Sequence, residues 1–148
     1  MKEGVRVMEN IQFHITVKGI VIYEDKVLIL KRIRPSSDGH GYWELPGGGL
    51  EYGETPHTAL IRELKEETCL DIRILKPVYT FTAIRPHYQT VGVGFLCIPT
   101  NNDVHISEEH TDYKFVDKDE LRNYLSKEIY NDIIFTLDEY VRTKDVLV

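Results

Sequence analysis

The chain is predicted to fold as an α+β protein, a mixed α/β sandwich, on three observations. Its apolar segments run strands, helix, strands, helices, without the strict strand–helix alternation of a doubly wound sheet. Its 148 residues fit one domain, taken as residues 1–148, long enough to bury a core without disulfide or metal staples. Its composition, 42% apolar against 28% charged, is that of a soluble globular protein rather than a disordered one.

The elements follow in order. Phe13–Ile22 alternates, with His14, Thr16 and Lys18 set against Phe13, Ile15 and Val17, and becomes wholly apolar after Gly19, as a strand entering a core does. Residues 23–26 turn the chain, and Val27–Ile33 returns as the second arm of a hairpin. Pro35–Gly41 reads as a loop. Tyr42–Leu45 is a short strand stopped by Pro46, and Gly47-Gly48-Gly49 reads as a glycine loop. Thr55-Pro56 is a helix start, a hydroxyl N-cap before proline at the first helical position, and the helix should run to about Thr68. Ile72–Ala83, Thr90–Ile98, Val104–Ile106 and Tyr113–Val116 read as strands. Asp117 caps a predicted helix over Lys118–Leu125. Asn131 caps a last one to about Thr143, with Ile133, Ile134, Leu137 and Val141 on one side.

Charge and composition exclude several classes. With 18 basic and 24 acidic residues the net charge is −6, and no basic stripe offers a grip on a long nucleic acid. A small anionic ligand is compatible only if a metal ion offsets the repulsion. No run is long and apolar enough for a membrane helix, and the N-terminus lacks the apolar core of a signal peptide. Cys69 and Cys97 have no metal-like spacing and read as buried, reduced thiols of a cytoplasmic protein. No Gly-Lys-Ser/Thr follows the glycines, which excludes a P-loop.

The chemistry is expected on the helix after Pro56. At about 100° per residue from Ala59, Leu60, Leu64, Thr68 and Ile61 fall at roughly 100°, 140°, 180° and 200° and define the expected buried arc. Glu63, Glu66 and Glu67 fall at roughly 40°, 340° and 80°, with Arg62 beside them at roughly 300°. Like charges three and four apart repel, and the C-terminal end of a helix prefers cations. A hard divalent cation, Mg²⁺ or Mn²⁺ or else Ca²⁺, would resolve both conflicts.

Gly48 to Leu70 resembles the Nudix box of the Nudix (MutT-like) hydrolases. Gly48, Glu54, Arg62, Glu63, Leu64, Glu66, Glu67 and Leu70 match at the right spacing, and Cys69 stands where the family has glycine. The flanking Trp43-Glu44-Leu45-Pro46-Gly47 also resembles the family. The resemblance implies a mixed sheet packed between helices and metal-dependent hydrolysis of a diphosphate linkage in a nucleoside diphosphate derivative, with ADP-ribose, (d)NTPs and oxidised nucleotides as candidates. It implies Glu63, Glu66, Glu67 and the Gly47 carbonyl as Mg²⁺ (or Mn²⁺) ligands. Arg62 would orient Glu54 or Glu63 by a charge-assisted hydrogen bond, with Glu54 behind the ligands.

For the general base, Glu109 is the first choice, ahead of Glu108 and Glu66. His110 reads as an exposed loop histidine. Trp43, Phe81, Tyr42 and Tyr88 are candidates for stacking on a base, and Arg32, Arg34 and Arg85 for meeting phosphates. Gly92 and Gly94 read as strand glycines beside a bulge or ligand. Pro86 and Tyr88, cues to different substrates in the family, are both present and do not decide between them. The expected partner is a small nucleotide-type substrate, and a homodimer is left open. A non-catalytic nucleotide-sensing module on the same fold is the alternative, but such regulators tend to lose box glutamates and every one is present here. A diphosphate-ester isomerase would need further catalytic residues not located in the chain. If Cys69 keeps the left-handed conformation of the family glycine, it strains the helix end by about 1 kcal/mol.

Overall fold

Successive residues of the two leading strands go to opposite layers, and that alternation makes the sandwich. The computed structural model describes residues 10–33 and 41–144. In β1 (Gln12–Tyr23), Val17 and Val21 join one core cluster, and Ile20 and Ile22 the other. In β2 (Lys26–Arg32), Leu28 and Leu30 go to the first cluster, and Val27 and Ile29 to the second. The first cluster is closed by Ala59, Leu60 and Leu64 of α1 (Pro56–Thr68), the second by Ile133 and Leu137 of α2 (Lys127–Lys144). The sheet therefore lies between two helices, as the α+β sandwich requires.

The other strands are β3 (Tyr42–Glu44), β4 (Gly47–Gly49), β5 (Ile72–Ile84), β6 (Tyr88–Pro99) and β7 (Asp112–Asp117). The main path is β3-β2-β1-β6-β5, with β4 paired to β1 and β7 to β2. The β1–β6 pair is parallel and the remaining pairs are antiparallel, so the sheet is mixed. Apart from Val104–Ile106, the strands expected from the sequence are present with ends shifted by a residue or two. Gly92 and Gly94 lie under the Phe81 and Tyr79 rings, where an added Cβ would come within about 2 Å of ring carbons. They are strand glycines, as expected, and of the bulge or ligand expected beside them the structure has the first: β5 shifts register between Pro77 and Tyr79, opposite Gly94.

Several elements depart from expectation. Gly47–Gly49 is a strand, not a loop: Lys18, Val17 and Thr16 pair with Gly47, Gly48 and Gly49 in turn. Val104–Ile106 is not a strand, because its backbone serves the end of α1. His105 N–H donates to the Thr68 carbonyl at 3.0 Å, and Ser107 N–H to Glu67 at 3.1 Å, satisfying carbonyls that the helix leaves open. Lys118–Leu125 forms only a 3₁₀ turn at Leu121–Asn123, wound by tight bonds such as Asn123 N–H to Glu120 O at 2.9 Å. The last helix begins at Lys127, before Asn131, with Tyr130 N–H donating to the Ser126 carbonyl. Arg34 and most of the 35–41 loop lie outside the described residues.

The acidic helix starts as expected. Thr55 caps it, accepting from Thr58 N–H while the Thr58 hydroxyl accepts from Thr55 N–H. Its buried arc is rotated from the expected one: Ile61 is 46% exposed and Glu67 is buried. The wheel accounts for both, since Glu67 at roughly 80° falls between Ala59 and Leu60, whereas Ile61 lies past Thr68 at the rim. The helix ends at Cys69, exposed rather than buried, with φ 60° and ψ 10° in the left-handed region. Cys69→Gly should therefore raise stability by about 0.5–1 kcal/mol, read as a rise in Tm of about 2–4 °C by thermal denaturation.

Candidate active site

The three glycines of β4 each meet one part of the acidic cluster. Gly47 N–H donates to Glu67 Oε2 at 2.9 Å. The Glu63 carboxylate rests on Gly48, where an added Cβ would stand 2.5 Å from its Cδ. The Gly49 carbonyl accepts from Arg62 Nη2 at 3.0 Å. The antiparallel pairing of β4 with β1 thus fixes the edge against which the carboxylates of α1 are arranged.

Arg62 ties the outer carboxylates together. Its guanidinium chelates Glu54, with Nη2 at 3.1 Å, and donates from Nη1 to Glu63 at 2.9 Å and Glu66 at 3.3 Å. The Glu54 bond first, then Glu63, raises the Arg62 pKa further, so it remains a cation. Reciprocally, Arg62 holds Glu54 below the ordinary carboxylate range. Both orienting roles weighed for Arg62 in the sequence are therefore made at once.

Glu67 faces the other way. Burial pushes its carboxyl up to about 7, against the downward pull of the Gly47 N–H and of Lys18 and His110. Glu67, Glu109 and His110 offer ligand atoms that all lie within 4.8 Å of one another, the three-residue group of this kind among the described residues. The grouping departs from the expected triad of Glu63, Glu66 and Glu67. Glu66 is turned out, with 60% of its side chain exposed, and pairs with Arg62.

A second network, not foreseen in the sequence, holds Glu109 in place. The Glu44 carboxylate accepts from Arg32 Nε at 3.0 Å, lies 2.9 Å from His110 Nε2, and pairs with Lys18 Nζ at 3.6 Å. Arg32 also donates from Nη2 to Glu109 at 3.1 Å. Burial alone would raise the Glu44 pKa, but His110, Lys18 and Arg32 outweigh it and hold the group at about 2. His110, expected to be an exposed loop residue, is 4% exposed, and its Nδ1 is buried without a hydrogen-bond partner. A charged residue in a three-residue strand between Trp43 and Leu45 was the available sequence signal for Glu44. Nothing local marked His110.

Three substrate candidates are not brought to these carboxylates. Trp43 precedes Glu44 in β3 and so faces the other layer, where its ring meets Tyr124 edge-on with centroids 5.5 Å apart. Phe81 lies over Gly92, beside Tyr79. Arg85 is in the β5–β6 turn, its guanidinium bonded to the Ile84 carbonyl at 3.3 Å. Arg32 does reach the site, and Arg34 lies outside the described residues.

The family model described as the NUDIX domain matches residues 12–136. The chain belongs to the Nudix family. A MutT-like protein of Streptomyces ambofaciens is 34% identical over 119 residues, covering 78% of this chain and 71% of that one. An ADP-ribose pyrophosphatase of Methanocaldococcus jannaschii is 29% identical over 109 residues, covering 72% of this chain and 63% of its own length. Among solved structures, a Nudix hydrolase of Nitrosomonas europaea superposes with a TM-score of 0.72 at 25% identity, covering 86% of this chain and 72% of that one. A MutT protein of Methanosarcina mazei gives 0.73 at 21% identity, covering 92% and 98%, and supports the fold alone. With relatives named as pyrophosphatases and diphosphatases, the chain is a Nudix-type hydrolase. Among the described residues no helix is long and apolar enough to cross a membrane.

In this Nudix domain the box supplies α1 with its Arg62 clamp, while the strand before it and the 107–110 turn supply a second set of charges. Carboxylates of Glu44, Glu54, Glu63, Glu66, Glu67 and Glu109 outnumber the cations Lys18, Arg32 and Arg62. Glu67 differs from the others in being buried, and burial is what raises its pKa.

Proposed function

We propose that the protein hydrolyses a diphosphate linkage in a nucleoside diphosphate derivative with the help of Mg²⁺ or Mn²⁺. The observation that carries this reading is the buried Glu67, whose carboxyl burial pushes up to about 7 beside further acids. A buried carboxylate without a full counter-charge is unfavourable, and a hard dication among oxygen donors supplies that charge. When bound, the ion would lower the pKa of a water and offset the negative charge around phosphorus.

The ligands in this reading are Glu63, Glu66, Glu67 and the Gly47 carbonyl. Glu109 is the proposed acceptor of the proton from the attacking water. Arg32, bonded to it, orients it and offers the remaining guanidinium edge to a phosphate. Arg62 and Glu54 do not touch substrate; they fix Glu63 and Glu66. Assignment of ADP-ribose, an oxidised nucleotide or another (d)NTP rests on relatives that differ among themselves: an ADP-ribose pyrophosphatase, and an 8-oxo-dGTP diphosphatase of Proteus vulgaris that is 43% identical over 65 residues.

The test is a phosphate-release screen with Mg²⁺ and with Mn²⁺ over ADP-ribose, (d)NTPs, their oxidised forms and nucleotide sugars, with pyrophosphatase added for the triphosphates and a phosphomonoesterase for the others so that each cleavage yields free phosphate. Turnover of at least one compound, abolished by a chelator, is expected. A flat result across the panel would favour a nucleotide-sensing module instead. Arg32→Lys keeps the cation but loses the two-pronged bridge between Glu44 and Glu109, and is expected to lower kcat about tenfold or more.

A further inference from the structure

His110 carries a ring nitrogen that no group in the site engages. Its side chain is 0% exposed, whereas the other described histidines, His14, His57, His87 and His105, are exposed. Nε2 lies 2.9 Å from the Glu44 carboxylate. A carboxylate only accepts, so the proton of the neutral ring sits on Nε2 and the lone pair is at Nδ1. Nδ1 is buried and has no hydrogen-bond partner. A buried polar atom without a partner is costly, and in a folded site it points to a partner still to come.

The surroundings of the ring say what that partner is. A ring nitrogen of His110 and one carboxylate oxygen each of Glu67 and Glu109 lie within 4.8 Å of one another. Ionised acids have no proton to donate to the nitrogen. Water could satisfy the nitrogen alone; a cation satisfies it together with the buried Glu67 carboxylate. Atoms bound to one divalent ion at about 2.1 Å stand about 3–4 Å apart, so a small closing of the group suffices. The Glu109 side chain is 62% exposed, which opens the group to solvent and gives an ion a way in. Glu44 at the far nitrogen completes the arrangement in which a carboxylate fixes the tautomer and orientation of a metal-binding histidine.

We infer that His110, with Glu67, is a nitrogen ligand of a divalent transition ion, and that this donor turns the protein from Mg²⁺ toward ions such as Mn²⁺ and Zn²⁺. Imidazole is a ligand of first-row transition ions, whereas Mg²⁺ takes oxygen. The inference rests on the diphosphate-hydrolase reading in taking Glu67 as a ligand. It adds a donor from outside the acidic helix and, with it, a choice of metal. Glu109 keeps the proton-accepting role proposed for it.

The test is pulsed EPR of the full chain loaded with one equivalent of Mn²⁺. Modulation from a directly bound imidazole nitrogen is expected. It should vanish in His110→Gln, whose amide can still donate to Glu44. Calorimetry should show Mn²⁺ bound about tenfold more weakly by His110→Gln, and Mg²⁺ bound as before. His105→Gln, at an exposed ring, should change neither. The wild type supplies a readout that needs no variant and decides the matter should His110→Gln fail to fold. With the histidines labelled in nitrogen-15, Zn²⁺ should shift Nδ1 of the ring whose Nε2 proton exchanges slowly, the mark of the buried His110. Mn²⁺ bound without nitrogen modulation, modulation unchanged in His110→Gln, or a slowly exchanging ring unmoved by Zn²⁺ would overturn the inference and leave the hydrolase reading standing. If neither Mn²⁺ nor Mg²⁺ binds, the hydrolase reading falls, and the inference with it.

Discussion

Glu67→Gln is expected to stabilise the metal-free protein and remove at least 100-fold of kcat in the same step. The activity loss is about 2.7 kcal/mol of barrier, measured on the substrate that the phosphate-release screen identifies. The stability gain follows from the sign of the shift. Burial raises the Glu67 carboxyl from 4.5 to about 7, so between those values the folded state holds a proton that the unfolded chain releases. Stability is then fully present below about pH 4.5 and falls as pH rises through 7, by about 3 kcal/mol at most. Glutamine carries no charge to bury, and its amide oxygen can still accept from Gly47 N–H.

Thermal melts of metal-free wild type should therefore lose several degrees between pH 5 and 8 that the variant keeps. Adding Mn²⁺ should restore the wild type at pH 8 and leave the variant unmoved, because a ligand that binds only the folded state stabilises it by mass action. Glu44 does not confuse the window, since His110, Lys18 and Arg32 hold it at about 2, outside that range. An equal pH dependence in both proteins would remove the charge argument on which the metal reading stands.

The contrast between Glu67 and Glu44 also shows which parts of the site a sequence discloses. The helix was legible because its signals are local: a Thr55-Pro56 start, a 3.6-residue period, and glutamates at fixed angles. The burial of Glu67 was implicit in the same wheel, between Ala59 and Leu60, but grouping it with Glu63 and Glu66 as a single acidic face hid it. The sandwich was legible in the alternation of β1 and β2. The Glu44 network was not, because its partners lie 12 residues away at Arg32 and 66 at His110, and Arg32 reaches Glu109 across 77. Trp43 lies away from the carboxylates for a related reason. Once Glu44 is at the site, the two-residue period of a strand turns its neighbour to the opposite layer. Val104–Ile106 alternates like a strand, yet the N–H groups of His105 and of Ser107 just after it are spent on the carbonyls ending α1, a demand visible only when the helix end is in place.

Gly47→Ala and Gly48→Ala, one residue apart on β4, should fail in different ways. At Gly47 the backbone has φ 137°, and an added Cβ would lie 2.0 Å from the Val17 carbonyl oxygen and 2.9 Å from Lys18 Cα. Those are main-chain atoms of the central strand and cannot yield without breaking the β1–β4 pairing. A loss of about 3 kcal/mol or more is expected, read as a lowered denaturation midpoint. At Gly48 the three atoms nearest the added Cβ all belong to the Glu63 carboxylate, with Cδ at 2.5 Å, the free end of a side chain. The carboxylate can swing away, but only by leaving the Arg62 Nη1 that holds it at 2.9 Å. The fold of Gly48→Ala should therefore persist, with stability within about 1 kcal/mol of wild type, while Mn²⁺ affinity and kcat fall by about 100-fold. Glu63→Gln on the same background should then add little, because the displaced carboxylate has already left the site. Full activity in Gly48→Ala would mean that Glu63 is not needed where the glycine holds it.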